Sequence, residues 1–166
     1  MVHVVNLDSH EIEANIVVGN RPRRFALSED GNMLWVTNEL SGSVSLIDTQ
    51  TNEVSETIEF NPKGFRPEDV TPVGIKLSDD GSHAYVTLGR ANHVAFVNVK
   101  SHEVEDYVLV GDRAWGIAQS RDGKRLYVTN GLSDDMSIVD IAARKTQRSI
   151  PAGRVPHSVV IDTAAE

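Results

Sequence analysis

The chain has 166 residues, an apolar share of 40%, no cysteine and a formal net charge of −8. That length and apolar share support a good-sized core, and the lack of cysteine excludes disulfides, thiol catalysis and thiolate metal sites. The acidic balance excludes a general nucleic-acid binder, whose affinity needs a basic surface, and no apolar run approaches the ~20 residues of a membrane span.

In chain order, Val2-His3-Val4-Val5-Asn6 reads as a strand ending on Asn, and Gly19 opens the next unit. Phe25-Ala26-Leu27 forms a strand A, and the turn Ser28-Glu29-Asp30-Gly31 supplies the positive φ of a tight hairpin. Strand B follows at Leu34 to Thr37, a polar loop at Asn38 to Ser43, and strand C at Val44 to Asp48. After the Thr49 to Asn52 turn, strand D runs from Glu53 to Phe60, mixing charged and apolar residues as an edge strand does. The whole series then returns. Trp35-Val36-Thr37-Asn38 recurs as Tyr85-Val86-Thr87-Leu88 and Tyr127-Val128-Thr129-Asn130; the Ser-x-Asp-Gly turn recurs at Ser78 and Ser120. The strand C run recurs at Val94 and Met136, so the period is 42 residues, with 8 inserted between Val44 and Val94.

Four short antiparallel strands per period, with an aromatic-Val-Thr signature, predict an all-β chain built as a β-propeller of four-stranded blades. Helical repeats are excluded, because Asp-Gly turns interrupt every candidate helix. The expected organisation is one partial propeller domain over 1–166, with blade boundaries near 19, 69, 111 and 153. About four blades are expected: strands C and D of one, three whole blades, and a lone strand A at Val159 to Asp162. Two assemblies cover the open edges of such a segment: a homodimer that completes a ring, or N-terminal blades missing from this sequence.

These residues resemble the YVTN family of β-propellers, whose signature stands at Tyr127 to Asn130. Arg21-Pro22-Arg23, Phe65-Arg66-Pro67-Glu68, Thr71-Pro72-Val73-Gly74, Leu88-Gly89-Arg90-Ala91-Asn92 and Pro151-Ala152-Gly153-Arg154 are similar to one subgroup of it. That subgroup is the bacterial propellers associated with catabolism dependent on pyrroloquinoline quinone. The resemblance makes this chain the C-terminal half of a seven-bladed protein. It departs from the signature at Leu88. The resemblance implies a periplasmic or extracellular accessory protein, although no signal peptide is read in this chain, and it implies no particular reaction.

Propellers bind ligands on the face built from D-to-A and B-to-C loops. Arg23, Val73, Trp115 and His157 fall on one repeat position at the start of strand A, two residues before an apolar neighbour that is expected to be buried: Phe25, Ile75, Ile117 and Val159. A slot that varies so widely beside a constant apolar one is expected to face the channel mouth. Arg21, Arg66, Arg90, Arg113 and Arg154 belong to the same loops, while Asp48, Asp79-Asp80 and Asp122 fall on the opposite face. A basic mouth and an acidic base follow, and guanidinium forks suit carboxylates or phosphates. The expected ligand-binding set is therefore Arg21, Arg23, Arg66, Arg90, Arg113, Trp115, Arg154 and His157. A competing reading makes these arginines structural staples between blades. Trp115 either stacks on a ring-shaped ligand or plugs the wide end of the barrel.

His10 and His102 share a turn slot with Asn52 and are expected to face solvent. No zinc spacing occurs, no Gly-x-Ser-x-Gly occurs, and no cofactor, metal or catalytic residue is expected; Asp134-Asp135 reads as a solvated pair or a cation site. Three functions remain. The first is a non-catalytic binding propeller that takes a protein partner or an anionic small molecule. The second is an enzyme, either a lactonase-type hydrolase or a quinoprotein dehydrogenase subunit. A hydrolase would draw on Asn38, Asn92, Asn130 and Glu39 around a metal. The third is a surface-layer component.

Overall fold

The structure is a computed structural model, and it describes residues 1–162. Fourteen strands form four antiparallel sheets. β1 (Val2–Val5) and β2 (Ile12–Ile16) make a two-stranded sheet. Blade 1 is β3 (Pro22–Leu27), β4 (Met33–Asn38), β5 (Ser43–Asp48) and β6 (Glu53–Glu59). Blade 2 is β7 (Ile75–Leu77), β8 (His83–Thr87), β9 (His93–Asn98) and β10 (Val104–Leu109). Blade 3 is β11 (Ala114–Gln119), β12 (Arg125–Asn130), β13 (Asp135–Asp140) and β14 (Lys145–Pro151). Each blade pairs its strands in chain order, so strand starts and ends alternate between two faces.

The period-2 alternation of strands decides which side chains meet. In blade 1, Trp35, Val44, Leu46 and Ile58 point to the next blade and pack on Ala84, Val86, Ala95 and Val97. Tyr85, Val94, Phe96 and Val108 of blade 2 repeat those positions and pack on Ala114, Leu126, Val128 and Val139. Val2 and Ile16 do the same against Val36 and Ile47. The hydrophobic core is thus a series of sandwiched interfaces between sheets, and Trp35 lies inside one of them, 1% exposed.

The repeated polar landmarks are turn devices. Ser28, Ser78 and Ser120 hydroxyls donate to Asp30, Asp80 and Asp122 and accept the amides of Met33, His83 and Arg125. The Ser78 hydroxyl, helped by Ser82, holds the Asp80 carboxyl down at about 2, and the same bonds lower Asp30 and Asp122. At the end of strand C, Asn6, Asp48, Asn98 and Asp140 each accept backbone amides two or three residues on. Asn and Asp interchange there because the turn itself needs only the acceptor oxygen. The closing residue of that turn has positive φ in all four copies: His10, Asn52, His102 and Arg144.

Four expectations need correction. Val159 to Asp162 forms no strand and pairs with none among the described residues. Phe25 is 56% exposed rather than covered, because it points toward the preceding sheet, which here has only β1 and β2. Val73 does not face the mouth. It is 2% exposed, at the end of the inserted segment, which contains a 3-10 turn at Pro67–Asp69. His102 is not a bare solvent residue either: its ring stands edge-on to Trp35 and its Nδ1 lies 2.6 Å from Glu56 of blade 1.

Candidate functional site

The starts of the first strands and the ends of the second lie on one face, since Pro22 pairs with Asn38 and Ala114 with Asn130. The signature threonine builds that face. The Thr87 hydroxyl accepts the Gly74 amide at 2.7 Å and donates to the Trp115 carbonyl of blade 3 at 2.8 Å. Thr37 does the same, accepting from Arg24 at 3.1 Å and donating to the Val73 carbonyl at 2.9 Å. Each hydroxyl therefore stitches its own inner strand to that of the next blade. The approach is close enough to require glycine, because a Cβ on Gly74 would sit 2.2 Å from the Trp115 carbonyl oxygen.

A second stitch joins the loops. The Asn92 side-chain oxygen accepts the Arg113 amide at 2.8 Å, and Asp134 accepts the Val155 amide at 2.8 Å from the equivalent position. Asp135 meanwhile accepts from Asn130 at 2.6 Å. The Asp134-Asp135 pair thus helps to hold the loops. Asn38 donates to Ser43 and Ser45, and Asn130 also donates to Ser137. The amide oxygens of Asn38 and Asn130 are buried without a partner, and Leu88, 0% exposed, fills the same slot in blade 2 with an apolar group.

On this scaffold two clusters form. In blade 1, Arg21 and Arg23 converge on one carboxylate oxygen of Glu39, at 3.2 and 2.9 Å. Glu39 is 4% exposed, while the Arg21 side chain is 55% exposed. In blade 3, the Arg113 guanidinium lies over the Trp115 ring, 5.6 Å from its centroid. Trp115 in turn meets His157 of the following segment at 5.2 Å between ring centroids, tilted by 54°. Arg21 and Arg113 occupy one repeat slot and share a left-handed backbone, with φ of 57° and 63°.

The position after the strand B signature decides which cluster forms, and sequence reasoning missed this. It holds Glu39, Gly89 and Gly131 in the three blades. Glu39 receives the two arginines. A Cβ on Gly89 would lie 2.2 Å from the Thr71 hydroxyl, and a Cβ on Gly131 would lie 2.7 Å from the Trp115 ring. Aligning that slot against the one holding Arg23, Val73 and Trp115 was the available signal.

The remaining expected residues do not join these clusters. Arg66 is tied inside the insertion to Asp69 at 3.0 Å and Glu68 at 3.3 Å, and the Asp69 bond raises its pKa further. Arg90 and Arg154 are exposed, and the Arg90 amide donates to the Thr71 hydroxyl at 2.9 Å. Among the described residues, no three His, Asp or Glu side chains gather as a metal would require. Of the residues a hydrolase would draw on around a metal, Glu39 is engaged by Arg21 and Arg23 and the Asn92 oxygen accepts the Arg113 amide, whereas Asn38 and Asn130 are engaged through their amide nitrogens alone. No helix among the described residues is long and apolar enough to cross a membrane.

Comparison with solved structures agrees with the fold. The chain superposes on hydrazine synthase of Kuenenia stuttgartiensis with a TM-score of 0.73 and 25% identity, covering 82% of this chain and 38% of that one. It superposes on the periplasmic gluconolactonase of Pseudomonas aeruginosa at 0.70 and 25% identity, covering 84% and 42%. A candidate 6-phosphogluconolactonase of Bacteroides fragilis matches at 0.71 and 20% identity, covering 93% and 48%, which shows the fold alone. The chain thus spans less than half of each of these structures. A search of curated proteins finds no match. The model of the family described as lactonase, 7-bladed beta-propeller matches residues 5–147. The chain belongs to that seven-bladed β-propeller lactonase family.

Proposed function

We propose that this chain is part of a lactonase-type hydrolase that opens a sugar lactone, with the ligand on the loop face that carries Arg21, Arg23, Arg113, Trp115 and His157. The family match over residues 5–147 carries this reading, ahead of the non-catalytic propeller that sequence alone favours. The chemistry suits the residues. Attack of water on a lactone carbonyl builds negative charge on oxygen, which a preorganised guanidinium stabilises. Arg21 and Arg23 are held in place by Glu39 for that task. The His157 imidazole, beside Trp115, is the group suited to take the proton of the attacking water. The ring oxygen leaves with a proton, giving the open hydroxy acid.

The resemblance to quinone-linked propellers fits the same scheme. Oxidation of a cyclic hemiacetal yields a lactone, so a dehydrogenase of that class would supply the substrate. Similarity to a periplasmic gluconolactonase supports export to the periplasm. The test is lactone opening followed in a pH-stat with D-glucono-1,5-lactone, the spontaneous rate subtracted. Acceleration that is lost in Arg23→Gln and His157→Gln is expected; a rate equal to the spontaneous one rejects hydrolysis. A binding propeller remains the second reading, because both Arg21 and Arg23 are already paired with Glu39. Ligand binding without turnover would favour it.

A further inference from the structure

We infer that Arg113, Trp115 and Gly131 form a stacking subsite for a sugar ring that bears a carboxylate. The inference rests on the loop face being the ligand face, but not on hydrolysis occurring there. It starts from a difference between blades that share a backbone. Arg21 and Arg113 occupy one slot in one left-handed conformation, yet Arg21 is neutralised by Glu39 and Arg113 is not. Among the described residues no carboxylate pairs with the Arg113 guanidinium, and the nearby Asp112 is taken by Asn92 at 2.9 Å.

The guanidinium instead lies over the indole of Trp115. A guanidinium held over a ring spends no N–H donor on a carboxylate, so its donors remain available to grip one in a fork. The indole is only half-buried. Its seat is Gly131, where any side chain would collide with the ring at 2.7 Å. The blade 1 counterpart of that glycine is Glu39, which would both displace the indole and cancel the positive charge. Blade 3 therefore pairs an unneutralised cation with a half-buried indole. That combination takes an anion carried on a ring: the carboxylate bonds to Arg113, and C–H groups of the ring lie against the part of the indole that Arg113 and His157 leave exposed.

Intrinsic fluorescence reads this site selectively. The chain has two tryptophans, and Trp35 is 1% exposed, so a ligand added from solvent addresses Trp115. The probe is D-glucuronate, a ring acid that has no lactone to open, with D-glucose as the neutral control. Glucuronate is expected to change the emission saturably. Arg113→Gln weakens the apparent affinity by about tenfold or more, the loss of one charge-assisted bidentate contact. Trp115→Leu abolishes the signal, and its affinity, measured by calorimetry, falls as well. Gly131→Ala weakens binding with Arg113 and Trp115 both present, whereas Arg66→Gln, confined to the insertion, leaves binding unchanged. Equal responses to glucose and glucuronate overturn the role of Arg113. No saturable response in the folded chain, or unchanged affinity in Trp115→Leu by calorimetry, overturns the subsite. Glucuronate binding without lactone turnover leaves the subsite standing and removes hydrolysis.

Discussion

Thr87→Val isolates the stitch between inner strands. Valine keeps the β-branched shape and replaces the hydroxyl with a methyl, so packing volume is preserved. Two partners lose their bond: the Gly74 amide at 2.7 Å and the Trp115 carbonyl at 2.8 Å. Thr87 itself is 0% exposed, so neither partner gains water in exchange. An orphaned buried polar group costs about 1–3 kcal/mol, which gives roughly 2–6 kcal/mol for the pair. At this chain length each kcal/mol lowers Tm by about 2–4 °C, so the melting point should fall by roughly 4–24 °C. Urea unfolding of both proteins gives the free-energy difference, and hydrogen exchange at Gly74 localises it. Thr87→Ser, which retains the hydroxyl, should keep Gly74 protected. A loss in Thr87→Val below about 0.5 kcal/mol, within the range of a neutral surface change, would refute the stitch.

Gly74→Ala should be among the most damaging single changes, costing about 3 kcal/mol or more, because its Cβ would strike the Trp115 backbone; Gly31→Ala meets nothing within 4 Å and should cost only the ~1 kcal/mol of its positive φ. Chemical denaturation of the two variants ranks them. Acid should weaken the fold through Glu105, whose pKa is lowered to about 2 by the Asn98 amide first and the Arg144 guanidinium of blade 3 second. A carboxyl with a depressed folded pKa stabilises fully above its unfolded value of about 4.5, and that contribution disappears as pH falls toward 2. Stability of Glu105→Gln measured across that window should therefore be flatter than wild type; parallel curves would dismiss the network. Glu39→Gln should loosen both Arg21 and Arg23, and their side-chain Nε resonances should broaden together; if only one responds, the shared carboxylate is not their common anchor.

Much of the fold was legible because its signals are local. Asp-Gly turns, β-branched runs and the Tyr-Val-Thr signature fix strands and register through the alternation of side chains, and a fixed period extends one blade to all. The burial of Val73 was not legible: it follows an 8-residue insertion that the other blades lack, held by tertiary contacts such as the Asn61 amide to the Tyr107 hydroxyl at 2.8 Å. The mouth was half legible. Trp115 and His157 were expected to converge and do so. Arg66 was placed there by its loop alone, yet Asp69 and Glu68 beside it in sequence claim its charge. The partner slot of Glu39, Gly89 and Gly131 escaped notice because glycine in a loop reads as a turn residue. Its true constraint, the room taken by Thr71 or Trp115 from another strand, is visible only in three dimensions.

The most direct measurement is an amide shift map of the ¹⁵N-labelled chain titrated with D-gluconate, the opened product. Changes should gather at residues 21–24, 38–40, 113–116 and 130–132, where strands start and end on one face, and at 155–158 of the segment after β14. Changes centred instead on the Ser-x-Asp-Gly turns of the other face, or none at all, would contradict a ligand site built from these repeat positions.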